Sequence, residues 1–291
     1  MENISNYIIY TDSACDIDPA ILKKWGCKFC SLTFMFNDSE KIYENFELDP
    51  KVFYQNMRDG KISKTSAINA ETFSNLFEEE LKSGNDVLYL GFSSGLSGTY
   101  NSARIAAAQL AEKYPERKIL TVDTLSASAG FGLLLYLTVQ QKNHGASIEE
   151  AAAFVKNTRL HLCHWFTVDD LVYLKRGGRI SAATALVGGI LGIKPVLHMD
   201  NAGHLINMQK ARGRKAALRA LADKYTELAI TPDSGTVFIS HGDCLEDAGL
   251  LAEMIQQEHG VSVQLTTFVG PVIGAHSGPG TLALFFLGKE R

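Results

Sequence analysis

The chain is short of whatever would tie it to an oxidising compartment, a nucleic acid or a bilayer. Its five cysteines, an odd number scattered from Cys15 to Cys244, make no disulfide framework in 291 residues. Lys and Arg number 28 against 32 Asp and Glu, a net charge of -4, so no basic surplus exists to neutralise a phosphate backbone. Nucleic-acid binding is therefore not expected. The most apolar stretches, Ala127 to Val139 and Ala182 to Ile193, stop short of the roughly 18 to 20 residues a helix needs to cross a membrane. The opening Met1 to Asn6 carries Glu2 and no Lys or Arg before a strand-like segment, unlike a secretory signal. The expected location is the cytoplasm. No stretch is rich enough in Gly, Pro or Ser to be a loose linker, and no internal repeat is visible.

What is present is ordinary globular material, 46% hydrophobic and 21% charged, in a length that outgrows one core and predicts two packed parts. Two cysteine arrangements invite a metal or redox reading. Cys27 and Cys30 have C-x-x-C spacing, but the segment Cys27 to Phe34 reads as a strand, where residues three apart point to opposite faces and their sulfurs diverge. His161, Cys163 and His164 lack a further cluster to complete four zinc ligands. Both are expected to be packing, with no metal and no cofactor.

The order of elements is informative. Tyr7 to Tyr10 is an apolar strand, Thr11-Asp12-Ser13 a polar turn, and Asp18-Pro19 the cap of a short helix to about Gly26. Asp49-Pro50 launches another helix, Lys64-Thr65-Ser66 stands just before a helix from Ala70 to Lys82, and Asp86 to Leu90 is a strand. Gly91 to Thr99 is then a hydroxyl-rich loop before a helix to about Lys113, and Ile119 to Asp123 a strand followed by Thr124, Ser126, Ser128 and a long apolar helix. Strand, polar loop and helix recur, which predicts a parallel sheet flanked by helices with its ligand crevice at the carboxyl ends of the strands.

Beyond about residue 160 the rhythm changes. A loop from Lys175 to Arg179 and the glycine-spaced Ala182 to Ile193 precede a hairpin, Lys194 to Met199 and Leu205 to Met208 around Asn201-Ala202-Gly203. Helix Arg214 to Leu228, strand Thr236 to Ser240, helix Leu245 to Gln257 and strand Val261 to Phe268 follow. Gly270 to Gly280 reads as a constrained loop presenting His276, and Thr281 to Leu287 as a closing strand. The fold class is thus α/β in two domains, a parallel-sheet domain over 1–160 and a mixed α+β domain over 161–291.

The hydroxyl-rich loop admits three readings. Gly91-Phe92-Ser93-Ser94-Gly95 matches the G-x-S-x-G nucleophile elbow between a strand and a helix, and the order Ser93, Asp243, His276 permits a serine hydrolase triad. Too few strands precede Ser93, and no His-Gly-Gly oxyanion loop lies upstream. A nucleotide cradle fails because Gly98 is followed by Thr99 and Tyr100, with no Walker lysine. What remains is a head-group site for a small anion, in which loop donors at Thr65, Ser66, Ser93 to Thr99 and His276 converge on one carboxylate. Ala182 to Ile193 and Phe285-Phe286 then line a tunnel for an amphiphile.

Several of these segments together resemble the DegV family. Thr11-Asp12-Ser13-Ala14-Cys15-Asp16-Ile17 resembles its T-D-S-x-x-D-L opening, with Cys15 where a small or hydroxyl residue is usual, and Lys64-Thr65-Ser66 its K-T-S. Ser93 to Tyr100, Leu174 to Ser181, Ile193-Lys194-Pro195 and Gly270 to Gly280 resemble further family blocks, in the family's order. The resemblance implies a two-domain α/β protein that buries one long-chain fatty acid between its domains. By position it implies that Thr65, Ser97 and His276 hold the carboxylate, with Ser66, Ser93 and Ser94 beside them. It also implies a non-enzymatic role in bacteria, presenting the fatty acid to a separate ATP-dependent fatty acid kinase. That kinase forms acyl phosphate for phospholipid synthesis and docks at Arg179 or, as its rival, Arg176. A peripheral, transient membrane contact goes with such a role.

Overall fold

Strands buried on both faces need not alternate, and Asp86–Gly91, reading DVLYLG, is buried at every position. In the computed structural model, which describes residues 7–181 and 192–291, this strand (β6) lies beside β1 (Tyr7–Asp12) at the centre of a parallel sheet. The edges are β2 (Cys27–Cys30) and β7 (Ile119–Asp123), giving the order β2-β1-β6-β7. The crossovers run through α1 (Pro19–Lys24), capped by Asp18 with proline in its first turn, α3 (Ala70–Lys82), capped by Asn69, and α4 (Thr99–Lys113). At the carboxyl edge of the sheet the chain leaves β1, β6 and β7 in polar turns, where the alternation places a crevice.

A second sheet has the order β10-β9-β8-β13-β11-β12, from β8 (Leu162–Thr167), β9 (Ile193–Met199), β10 (Leu205–Arg212), β11 (Phe238–His241), β12 (Leu265–Phe268) and β13 (Leu282–Leu287). Its pairs are antiparallel except β11 with β12. A small antiparallel sheet of β3 (Thr33–Phe36), β4 (Tyr43–Glu44) and β5 (Ser63–Ser66) stands beside the first. The helix α5 (Ser128–Asn143) is buried on most of its surface and packs against β8, β11 and β13. At its start the Ser128 hydroxyl donates to Asp16 Oδ2 at 2.6 Å and lies 2.9 Å from Ser240 Oγ of β11. Burial pushes the Asp16 carboxyl up to about 7, so this staple between the sheets is built on a desolvated acid.

Three segments differ from what their composition suggests. Lys64-Thr65-Ser66 belongs to a strand, because Thr65 pairs with Phe34 and Ser66 with Thr33 across the small sheet. The polar run carries no periodicity to announce it. Pro271–Ser277 is a helix and not a loop. Its proline occupies the first turn, and Gly278 at φ +83° ends it, the start and stop signals hidden in a run dense with both residues. Lys175 and Arg176 end a short helix, α7 (Val172–Arg176), before the turn at Gly177. The remaining α-helices among the described residues are α2 (Pro50–Arg58), α6 (Ile148–Thr158), α8 (Arg214–Leu228), α9 (Leu245–His259) and α10, the helix Pro271–Ser277. Residues 182–191, expected to line a tunnel, lie outside the described residues.

Cys27 and Cys30 are separate buried thiols, the first pushed up to about 12 by desolvation. Cys163 and His161 instead hold the end of the chain, through Glu290 O and Lys289 O. No group of three or more metal-binding side chains occurs among the described residues, and none of their helices is long and apolar enough to cross a membrane.

Candidate functional site

Between the two larger sheets lies a cavity of ≈ 310 Å³, the size of a pocket for a small amphiphile. Leu32 and Phe92 wall it from one side, and Phe166, Met199 and Phe285 from the other. The aromatic and aliphatic lining follows from strand alternation: Phe166 and Ala283 are cross-strand partners in the mixed sheet and both border the cavity. Phe166, Met199, Leu174 and Leu205 are lining residues that composition alone did not single out. Phe166 and Met199 lie on strands whose sequences, LCHWFT and IKPVLHM, carry no alternation to mark the side that meets the cavity.

The polar residues Thr65, Ser66, Ser97, Arg179 and His276 also border this cavity. Ser66 and the neighbouring Gly98 are exposed, so this end opens to solvent. Thr65 is on β5 and His276 on α10, and Thr65 Oγ1 lies 2.8 Å from His276 Nε2. Burial, and then the Arg179 charge, pull the imidazole down to about 4, so it is neutral at neutral pH. Its Nδ1 is buried without a partner among the described residues. An orphaned acceptor is tolerated more readily than an orphaned N–H, which assigns the proton to Nε2. His276 then donates to Thr65, and the threonine hydroxyl keeps its own proton for a third group.

Ser97 sits just ahead of α4. Its Oγ accepts from Thr99 N at 3.2 Å and lies 2.9 Å from Thr99 Oγ1. The hydroxyl is thereby placed at the positive end of a 15-residue helix, where an anion is favoured. Arg179 is half-buried, its Nε donating to Leu96 O at 3.2 Å and its Nη1 to Gly177 O. The guanidinium, at the position the sequence resemblance connects with kinase docking, thus borders the cavity. A cationic group therefore stands beside a polar cluster otherwise made of neutral donors. Arg176 is exposed and lies over the Tyr173 ring, 5.7 Å from its centroid.

Ser93 and Ser94 do not border the cavity. Ser93 is fully buried and its hydroxyl donates to Gly203 O at 2.8 Å, while Ser94 is exposed with its N–H on Asp123 Oδ1. The triad order Ser93, Asp243, His276 is not assembled either: Asp243 pairs with Arg58 and His276 with Thr65. Sequence order permitted a relay that the three-dimensional arrangement separates.

The loop carrying Ser93 is held from below by Asp12. This fully buried carboxylate accepts from Tyr89 Oη at 2.7 Å, Phe92 N at 3.0 Å and Ala14 N at 3.1 Å. It joins the carboxyl ends of β1 and β6 directly under the cavity wall.

Comparison with known proteins extends over the whole arrangement. The model of a family described as "Uncharacterised protein, DegV family" matches residues 7–289. A DegV domain-containing protein of Clostridium perfringens is 45% identical over 289 residues, 99% of each chain. Among solved structures, a stearic acid-binding protein of Eubacterium ventriosum superposes with a TM-score of 0.87 at 27% identity, covering 97% of this chain and 98% of that one. A DegV family protein of Thermus thermophilus, described for its fatty acid binding, gives 0.86 at 28% identity and covers 97% and 99%.

Proposed function

This chain belongs to the DegV family, and from that premise we propose that it buries one long-chain fatty acid in the cavity between its two sheets. The observation that carries this reading is the pairing of an apolar-walled space with a cluster of hydroxyl and imidazole donors at its open end. Thr65 and Ser97 hold the carboxylate, His276 backs them by donating to Thr65 so that the threonine proton faces the ligand, and Ser66 stands at the rim. Each charge-assisted hydrogen bond contributes about 1.5 to 3 kcal/mol, and each buried methylene about 0.8 kcal/mol. The acyl chain therefore supplies most of the affinity and the donors its direction. The lining supports a division into a domain over 1–160 and one over 161–291 with the ligand between them. Leu32, Thr65 and Ser97 come from the first, and Phe166, Met199 and His276 from the second.

The same reading gives the protein a presenting role and no chemistry of its own, in the bacterial cytoplasm. A separate kinase supplies ATP and the phosphoryl-transfer machinery, and the carboxylate at the open end is the atom group it phosphorylates. Arg176 and Arg179 flank that end. Arg179→Ala is expected to keep bound lipid but to lose acyl-phosphate formation in a reconstituted assay. Unchanged product would move docking to Arg176.

The primary test is mass spectrometry of the purified protein, native against denatured, with an organic extract of the same sample. One non-covalent adduct that extracts as a long-chain fatty acid is the expected result. Protein that is empty and takes up neither stearate nor oleate would sink the reading.

A further inference from the structure

The turn after α7 closes directly on the imidazole of His276, and we propose that Gly177 is a positioning residue of the head-group site, bare of a side chain so that His276 reaches Thr65. The functional consequence rests on His276 orienting Thr65 toward the carboxylate; the geometry does not. Glycine is usually explained by its backbone, but Gly177 has φ -72° and ψ -11°, open to any residue. The next residue is different: Gly178 has φ +69°, where a side chain is strained whatever the space. A Cβ on Gly177 would lie 3.1 Å from Cγ and 3.3 Å from Cε1 of His276, and closer still to Nδ1. What Gly177 provides is therefore room for one ring.

That ring can yield only by giving up its Thr65 bond and moving into the cavity it borders. Its Nε2 is tied to Thr65 Oγ1, and its helix neighbours Ala275 and Ser277 are buried. Two residues before His276, Gly274 packs against Tyr54, whose hydroxyl donates to Val269 O at 2.6 Å. A methyl group at 177 must displace either the imidazole or α7 itself. The same turn carries Arg179, whose Nε holds Leu96 O next to Ser97. The residues 177–179 thus touch both walls of the head-group site, one by packing and one by a hydrogen bond. Val172, Lys175 and Arg176 of α7 face outward and are exposed.

The test is Gly177→Ala in two backgrounds, the native chain and His276→Ala, with stearate retention and the ring nitrogen resonances of His276 as readouts. In the native background retention should fall about tenfold or more, the loss of a charge-assisted contact. In the His276→Ala background the added methyl should change nothing further. In ligand-free protein the His276 ring resonances, assigned by their loss in His276→Ala, should shift. Unchanged resonances, or equal losses in both backgrounds, would overturn the assignment. If His276→Ala retains stearate as well as the native chain does, the carboxylate reading fails, while the resonances still decide the role of Gly177. Should Gly177→Ala fail to fold, the Gly177→Ala/His276→Ala double variant is expected to recover, and its failure would equally count against the proposal.

Discussion

A chain carrying Thr65→Val and Ser97→Ala together should purify empty and take up fatty acid only weakly. Each substitution removes one donor to the carboxylate, for a combined loss of about 3 to 6 kcal/mol, or roughly 10² to 10⁴ in Kd. The fold should survive. Valine is a good strand residue at position 65, which pairs with Phe34 inside the small sheet. Ser97→Ala also takes the acceptor from the Thr99 N–H at the start of α4, a local cost of about 1 kcal/mol that a 15-residue helix should survive. The two losses are not independent of His276, since Thr65→Val would strand the Nε2 proton that the threonine hydroxyl now accepts. Competition between a fluorescent fatty acid and stearate measures the change. Affinity within a few-fold of the native chain would mean that the carboxylate sits elsewhere.

Asp12→Ala should be among the most damaging single truncations for stability. It strips three buried donors, Tyr89 Oη and the N–H groups of Phe92 and Ala14, of their shared acceptor. With each unpaired donor costing about 1 to 3 kcal/mol, the expected loss is about 4 kcal/mol or more. Asp12→Asn should cost less, because an amide oxygen can replace Oδ2 toward Tyr89 and Phe92 and only Ala14 N loses its partner. The pH dependence has a definite sign. Burial holds the folded carboxyl up at about 6 against an ordinary 3.8, so the native state binds the proton more tightly than the unfolded chain. The stability Asp12 contributes therefore declines as pH rises from about 4 to about 6 and is level above that. Urea unfolding should show a larger Asp12→Asn penalty at about pH 4.5 than at about pH 7.5. An Asp12→Ala variant within about 1 kcal/mol of the native chain would show that these donors find other partners.

Much of the framework is legible because local chemistry and burial agree. Helix Ala70–Lys82 is opened by the Asn69 cap, and strands β1 and β6 announce themselves by unbroken apolar runs. The site is where local signals stop. Thr65 stands in a strand of four polar or charged residues, SKTS, held by its partner strand and not by its own pattern. His276 is in a seven-residue helix whose proline and glycines mimic a loop. Ser93 has the look of a ligand contact because glycine and serine surround it, yet its hydroxyl is consumed by Gly203 O, 110 residues further on. Arg179 turns toward the cavity for a similarly distant reason, the Leu96 carbonyl. Thr65, Ser66, Ser97 and His276 do border one space, but only the fold shows which hydroxyls are already spent.

The hydrogen bond between Thr65 and His276 joins positions 211 apart in the chain. During synthesis the first partner leaves the ribosome long before the second exists. A nascent chain at translation rates of about 5 to 20 residues per second therefore waits on the order of ten seconds or more between them. Throughout that interval the β5 strand can form, but nothing can close the pocket over a lipid head group. Closing so long a loop costs entropy that local contacts do not repay. The end of the cavity that joins Thr65 to His276 is thus among the last parts to mature, and its closure reports that the chain has been made and folded at least as far as α10.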